Sequence, residues 1–212
     1  IAMHAMAFRG PPFWRGRQKG RAGWITGAIL AHPRCMPSSH PCRPLAASSL
    51  VARPLTPGDF QRFGTVLQAP PRVNAARPIN AGTALRFDLV DDMQLDAAGG
   101  RAQLALFSAQ ARAFPLVLHD MECHQLGSQT FLPLGARRFV IVVAAAGAPP
   151  EAAALEAFVT DGQQGVTLAP GTWHHALLAL DAGDFVVIER AAPVVDCMLC
   201  ALPTAVEVSL AT

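Results

Sequence analysis

The stretch PGTWHHALLAL, Pro170–Leu180, sets two histidines side by side at the head of an apolar run. A Pro-Gly break before a short apolar segment reads as a turn leading into a strand. Successive side chains of a strand point to opposite faces. One imidazole of the His174–His175 pair is therefore expected to face an interior, and the other to face away. The same texture extends outward from this stretch. Short apolar runs alternate with Gly, Pro and Asp breaks at Leu85–Val90, Gln103–Ala109, Leu116–Glu122, Thr130–Pro133, Phe139–Ala145, Glu156–Thr160, Gly165–Leu168, His175–Leu180, Phe185–Glu189 and Val194–Leu199. Spacing of this kind signals an all-β sandwich or barrel. A Thr-Pro-capped helical turn is expected over Pro57–Arg62 between two further strands, and one short helix over Pro149–Leu155. No internal repeat and no phosphate-binding glycine motif occurs.

The chain has 212 residues, of which 51% are hydrophobic, enough for one domain with a sizeable core. Its net charge of +2 conceals two kinds of sequence. Up to Arg53 there are eight Lys/Arg and no acid, whereas from Pro54 onward nine Arg face fifteen Asp/Glu, a net of −6. The basic part, residues 1–52, is rich in Pro, Gly, Ser and Arg and holds no hydrophobic period, so it is expected to be disordered. It resembles a secretory signal or a transit peptide less than it resembles sequence read through from a start placed too far upstream. The domain is expected over 53–212. Its acidic balance gives no reason for a nucleic-acid or anionic-membrane partner, and no run approaches the roughly 20 apolar residues of a membrane helix. The five cysteines are irregularly spaced, and Cys197-Met198-Leu199-Cys200 is a lone CxxC, read as small apolar residues of a terminal strand in preference to half a zinc site.

The polar residues that stand out cluster in two places. HDMECHQLGSQ brings His119, Glu122, His124 and Gln129 within eleven residues, and the second place is the histidine pair. His, Glu and Gln gathered inside a small barrel suit a divalent metal, and they equally suit general acid–base work around an organic substrate. In simple alternation Glu122 and His124 share one strand face, and His119, Met121 and Cys123 the other, unless a bulge intervenes.

Four segments resemble the ureidoglycolate lyase family: PINAGTALRFDL (Pro78–Leu89), LVLHDMECHQLGSQTFLPL (Leu116–Leu134), FVTDGQQGVTLAPGTWHHALLAL (Phe158–Leu180) and DFVVIERAAPVVDC (Asp184–Cys197). The resemblance covers residues 53–200 and implies a cupin-like double-stranded β-barrel, or jelly roll. Against the cupin pattern, Glu122 and His124 stand at the two histidines of its first motif, Gln129 falls near the following acid, and Pro170–His174 resembles the second motif. Counting from Gly171 makes His174 the inward imidazole, and counting from Pro170 makes it His175. The Gly spacing fits better, so His174 is expected toward the cavity and His175 at the rim.

The implied reaction is cleavage of (S)-ureidoglycolate to glyoxylate and urea, a carbon–nitrogen lyase step of allantoin and purine catabolism. Glu122, His124 and His174 are the expected proton-transfer groups or ligands of a divalent metal, nickel or manganese. His119 is the expected orienting partner of an imidazole, and His175 completes the catalytic set. Arg86 is expected to grip the substrate carboxylate with its guanidinium fork, and Asn80 and Gln129 to hydrogen-bond the ureido group. A homodimer covering exposed sheet edges and a cytoplasmic location complete the expectations. Two other classes fit the same barrel: another metal-dependent cupin enzyme acting on a small carboxylic acid, and a non-catalytic metabolite-binding cupin.

Overall fold

The computed structural model describes residues 48–70 and 77–211, and the disorder expected before Ser48 lies outside the described residues. The described chain opens with strand β1 (Ser48–Pro54), helical turn α1 (Pro57–Phe60) and strand β2 (Gly64–Leu67). Strands β3 (Arg77–Ile79) and β4 (Ala84–Arg86) come next. They are followed by β5 (Arg101–Ala109), β6 (Leu116–Cys123), β7 (Gln129–Pro133), β8 (Phe139–Ala144), β9 (Glu156–Val159) and β10 (Gly165–Leu168). Two short pieces, β11 (Trp173–His174) and β12 (Leu178–Ala179), precede the long strands β13 (Gly183–Ala191) and β14 (Met198–Leu210).

The fold is the all-β barrel anticipated. One sheet runs β11-β6-β14-β1-β9-β8-β12, and β11 also pairs with β8, so six of its strands close into a ring. A five-stranded sheet, β2-β10-β7-β13-β5, is separate from it in hydrogen bonding, and β3 and β4 form a two-stranded hairpin of their own. Closure removes sheet edges from the ring and leaves β5 as an edge of the second sheet.

Two apolar cores follow from this arrangement. Every strand of the ring sends a buried residue to one of them: Ala52, Met121, Val142, Ala157, Trp173 and Val206. The other core joins Ile141 and Phe158 on the ring to Val66, Phe131, Val166 and Val187 on the five-stranded sheet. Strand β8 serves both, with Phe139, Ile141 and Val143 in one core and Val140, Val142 and Ala144 in the other. That double burial is why FVIVVA reads as a continuous apolar run without polar alternation. Each large side chain buried here stabilises by roughly 1.5–3 kcal/mol. Trp173 is fully buried and its indole N–H donates to the Gly147 carbonyl at 3.1 Å.

Local chemistry sets the elements. Thr56 caps α1, its hydroxyl oxygen accepting from Asp59 N–H at 3.2 Å, with Pro57 in the first turn. Gly64 has φ +149°, and a Cβ there would lie 1.9 Å from the Thr167 carbonyl oxygen, so only glycine lets β2 approach β10.

Several expected elements are redrawn. The strand expected at His175–Leu180 is split, because β11 spends its two residues bridging β6 and β8, while β12 pairs with β8 alone. The strand expected at Val194–Leu199 begins at Met198 and runs to Leu210, with Val194 and Val195 exposed ahead of it. Leu85–Val90 contributes only Leu85 and Arg86 to β4, and Pro149–Leu155 forms a single 3-10 turn at Ala152–Ala154. The sheet also takes in residues 48–52, ahead of the expected boundary at 53. Strand β1 pairs in parallel with β14 and with β9, and its sole buried residue, Ala52, is too small to mark a core strand in sequence.

Candidate active site

The Pro170–Gly171 turn fixes the histidine pair. Gly171 adopts φ +83°, a left-handed conformation that glycine takes without penalty. Its N–H donates to the His124 carbonyl at 2.7 Å, and the Thr172 hydroxyl donates to the Phe63 carbonyl at 3.0 Å. The next two residues form β11, in which Trp173 opposes Cys123 and His174 opposes Glu122 on β6. Alternation then divides them. Trp173 and Cys123 enter the core of the ring, and His174 and Glu122 stand on its outer wall, toward the five-stranded sheet.

His174 is 1% exposed. Its Nδ1–H donates to the Thr172 carbonyl at 3.0 Å, which turns Nε2 toward Gln129 Oε1 at 3.0 Å and Glu122 Oε1 at 3.4 Å. The Gln129 amide has a defined sense, because its Nε2–H donates to Glu189 Oε2 at 3.0 Å. His124 is arranged in the same way. Its Nδ1–H donates to the Asp196 carbonyl, and its Nε2 is buried with no protein partner. The Asp196 carboxylate in turn accepts the N–H groups of Gln125 at 3.0 Å and Leu126 at 2.6 Å, tying the loop before β14 to the end of β6. The two imidazole rings lie 5.4 Å apart.

A carboxylate oxygen of Glu122 and one ring nitrogen each of His124 and His174 all lie within 4.8 Å of one another. Each is a lone-pair donor, and Gln129 Oε1 adds a fourth acceptor beside His174. Such a convergence calls for a positive species: a proton on His174 Nε2 or a divalent cation. A backbone carbonyl fixing the outer nitrogen of each histidine is the usual support of a metal-binding imidazole. The buried and unpartnered Nε2 of His124 fits the same purpose. The His174 hydrogen bond holds the Glu122 carboxyl below its ordinary value, against the opposing effect of burial, and the positive potential of His174, His124 and His175 adds to the lowering. The Cys197 thiol, 3.8 Å from Glu122 Oε2, is pushed up by burial and by that carboxylate.

Glu122, His124, Gln129 and Cys197 line a cavity of about 450 Å³, whose other walls include Phe107, Phe131, Leu177, Glu189 and Arg190, and the buried His174 meets this wall through Glu122 and Gln129. A larger cavity of about 620 Å³ lies beside Ala144–Glu156, but its Glu156 is taken up by Arg53 and Arg62.

The model of the ureidoglycolate lyase family matches residues 47–209. The chain belongs to the ureidoglycolate lyase family. A ureidoglycolate lyase of Burkholderia cepacia is 45% identical over 148 residues, covering 68% of this chain and 80% of that protein. One from Pseudomonas syringae pv. syringae is 39% identical over 142 residues, covering 66% and 82%, and one from Rhizobium etli is 39% identical over 144 residues, covering 66% and 84%.

This lyase brings together Glu122, His124, Gln129 and His174 of the residues singled out in sequence. His175 lies beside the group with its side chain 16% exposed, its Nε2 4.0 Å from Asp120 Oδ1. His119 is exposed, because β14 inserts residues 202–205 opposite it and breaks the alternation that would group it with Met121. Arg86 and Asn80 belong to the β3–β4 hairpin segment and are exposed. Arg86 donates to Asp88 at 2.7 Å, and neither residue lines the cavity. Sequence reasoning missed Glu189, Asp196 and Arg190. Glu189 had a signal, for in DFVVIER it follows Phe185 and Val187 on the same inward face. Arg190 lines the cavity while its guanidinium donates to the Ala97 and Ala98 carbonyls.

Proposed function

We propose that this lyase cleaves (S)-ureidoglycolate to glyoxylate and urea, a carbon–nitrogen lyase reaction of the amidine-lyase class in allantoin catabolism. The observation that carries the reading is the convergence of Glu122, His124 and His174 within 4.8 Å of one another in a chain of this family. The reaction is the collapse of a carbinolamide. The hydroxyl proton goes to a base, the O–H electron pair becomes the C=O bond, and the C–N pair moves onto nitrogen, which takes a proton. No water is consumed.

A divalent ion, nickel or manganese, would be held by Glu122, His124 and His174, and when bound supplies positive charge beside the developing alkoxide. The chain's own part is to hold both Nε2 atoms and the carboxylate oriented, and to enclose the substrate against Phe107 and Phe131. A metal-free reading is favoured by one observation, the 3.4 Å approach of His174 Nε2 to an ionised Glu122. There Glu122 takes the hydroxyl proton and His174 Nε2–H supplies the nitrogen.

Glu122→Gln tests the site in either reading. It keeps the shape and removes the charge, so turnover should fall by about 10²–10⁴-fold with an unchanged circular dichroism spectrum. Turnover close to that of the wild type would remove Glu122 from the reaction.

A cytoplasmic homodimer is the proposed state. Cys123, Cys197 and Cys200 are free thiols, as suits a reducing compartment. Among the described residues no helix is long and apolar enough to cross a membrane. The edge strand β5 exposes Leu104 at 71% and Leu106 at 56%, an edge that a second copy would cover. Sedimentation of the purified chain at half the dimer mass would refute that pairing.

A further inference from the structure

We infer that Gln103, Glu189 and Gln129 form the subsite for the urea half of the substrate, with Glu189 accepting its N–H groups. This rests on the lyase reading above. The three residues form one row across the five-stranded sheet, since Glu189 on β13 is in register with Gln103 on β5 and with Gln129 on β7. All three line the cavity that Glu122 and His124 also line. Glu189 shares its face with the buried Phe185 and Val187, so its carboxylate is carried inward by the strand's alternation.

The chemistry of the row selects its ligand. Glu189 Oε2 accepts from Gln129, and among the described residues Glu189 makes no ion pair. A carboxylate on a cavity wall without a counter-ion is costly to desolvate unless donors meet it. A urea group offers several coplanar N–H donors and a single carbonyl. A carboxylate accepts such N–H groups, and the Gln103 amide can donate to the carbonyl. The substrate's own carboxylate is repelled by Glu189. The reacting carbon then lies toward Glu122, His124 and His174, the groups that take and supply protons, with the urea half on the row. Through Gln129 the row also touches His174, so the leaving nitrogen lies between the two walls.

The test uses the full chain and its two reaction products as inhibitors of turnover. Glu189→Gln should raise the inhibition constant of urea by about 10- to 100-fold, the loss of hydrogen bonds to a charged acceptor. Gln103→Leu, which leaves the Gln129–Glu189 link in place, should raise it by about three- to tenfold. The inhibition constant of glyoxylate should stay within about twofold in both variants, because that half binds the opposite wall. An unchanged urea constant in both variants, with a wild-type chain that turns over, would confine Glu189 to holding Gln129 and overturn the inference. An equal rise for urea and glyoxylate would mean general damage to the site and would overturn it too. A wild-type chain that makes no glyoxylate and urea would sink the lyase reading itself, and the subsite with it.

Discussion

Asp196→Ala should damage the active site from a distance. Asp196 offers its carbonyl to His124 Nδ1 and its carboxylate to the N–H groups of Gln125 and Leu126. The variant removes both carboxylate bonds and frees the loop that holds the carbonyl. Hydrogen bonds to a charged acceptor contribute about 1.5–3 kcal/mol each, and partial exposure puts these two at the low end, about 3 kcal/mol together. At 2–4 °C per kcal/mol for a chain of this size, the melting temperature should fall by roughly 6–12 °C. His124 then loses its orienting carbonyl, and loss of such a support typically costs about 10–100-fold in activity or metal affinity. The assay is glyoxylate release at a temperature well below the transition, beside a thermal melt of the same sample. Asp196→Asn keeps an oxygen acceptor and should recover part of both losses. A variant Asp196→Ala with kcat/KM within twofold of the wild type would refute the reasoning, because His124 would then hold its place without this loop.

Arg86→Ala should leave kcat/KM within about twofold, since Arg86 is 52% exposed and pairs with Asp88 away from the cavity; a hundredfold rise in KM would restore it to the substrate carboxylate. The Asp181 carboxyl is held down to about 2 by hydrogen bonds from the Arg138 side chain and backbone. Its folded-state value is below the unfolded 3.8, so the stabilisation is fully present above that value and is lost as pH falls through about 2. Denaturant melts of the wild type and Asp181→Asn should therefore converge toward pH 2, and a constant gap from pH 6 to pH 2 would contradict this. The same sign applies to Glu122, whose ionised form the reaction needs. The acid limb of kcat/KM should lie below the ordinary glutamate range, and a limb above it would assign the titration to another group.

The architecture was legible because alternation and turn chemistry are local. PGTWHH announced a glycine turn and an inward His174, and the structure buries His174 on the two-residue strand β11 while His175 follows it, partly exposed beside Asp120. Glu122 and His124 were legible as a pair for the same reason, two residues apart at the end of one strand. Most of what sequence placed differently depended on partners distant in the chain. The alternation through His119 is broken by residues inserted on β14, which the sequence around His119 does not encode. Arg86 looked apt by charge and shape, yet the local sequence also supplies Asp88, which takes the guanidinium. A strand was expected from Arg53, but the first five residues of β1 escaped notice because their parallel pairing to β14 leaves no hairpin signature. Glu189 was overlooked because a charge at the end of an apolar strand resembles a solvent-facing terminus until its neighbours across the sheet are known.

The most direct test of the account is a product balance. The full chain, stripped of metal with a chelator, is incubated with racemic ureidoglycolate while glyoxylate, urea and ammonia are measured separately, and the measurement is repeated with nickel or manganese added back. The account predicts glyoxylate and urea in equal amounts, half of the substrate consumed, no ammonia, and a rate that Glu122→Gln regains neither with added metal nor without it. Ammonia appearing with glyoxylate, or no product under either condition, would contradict it.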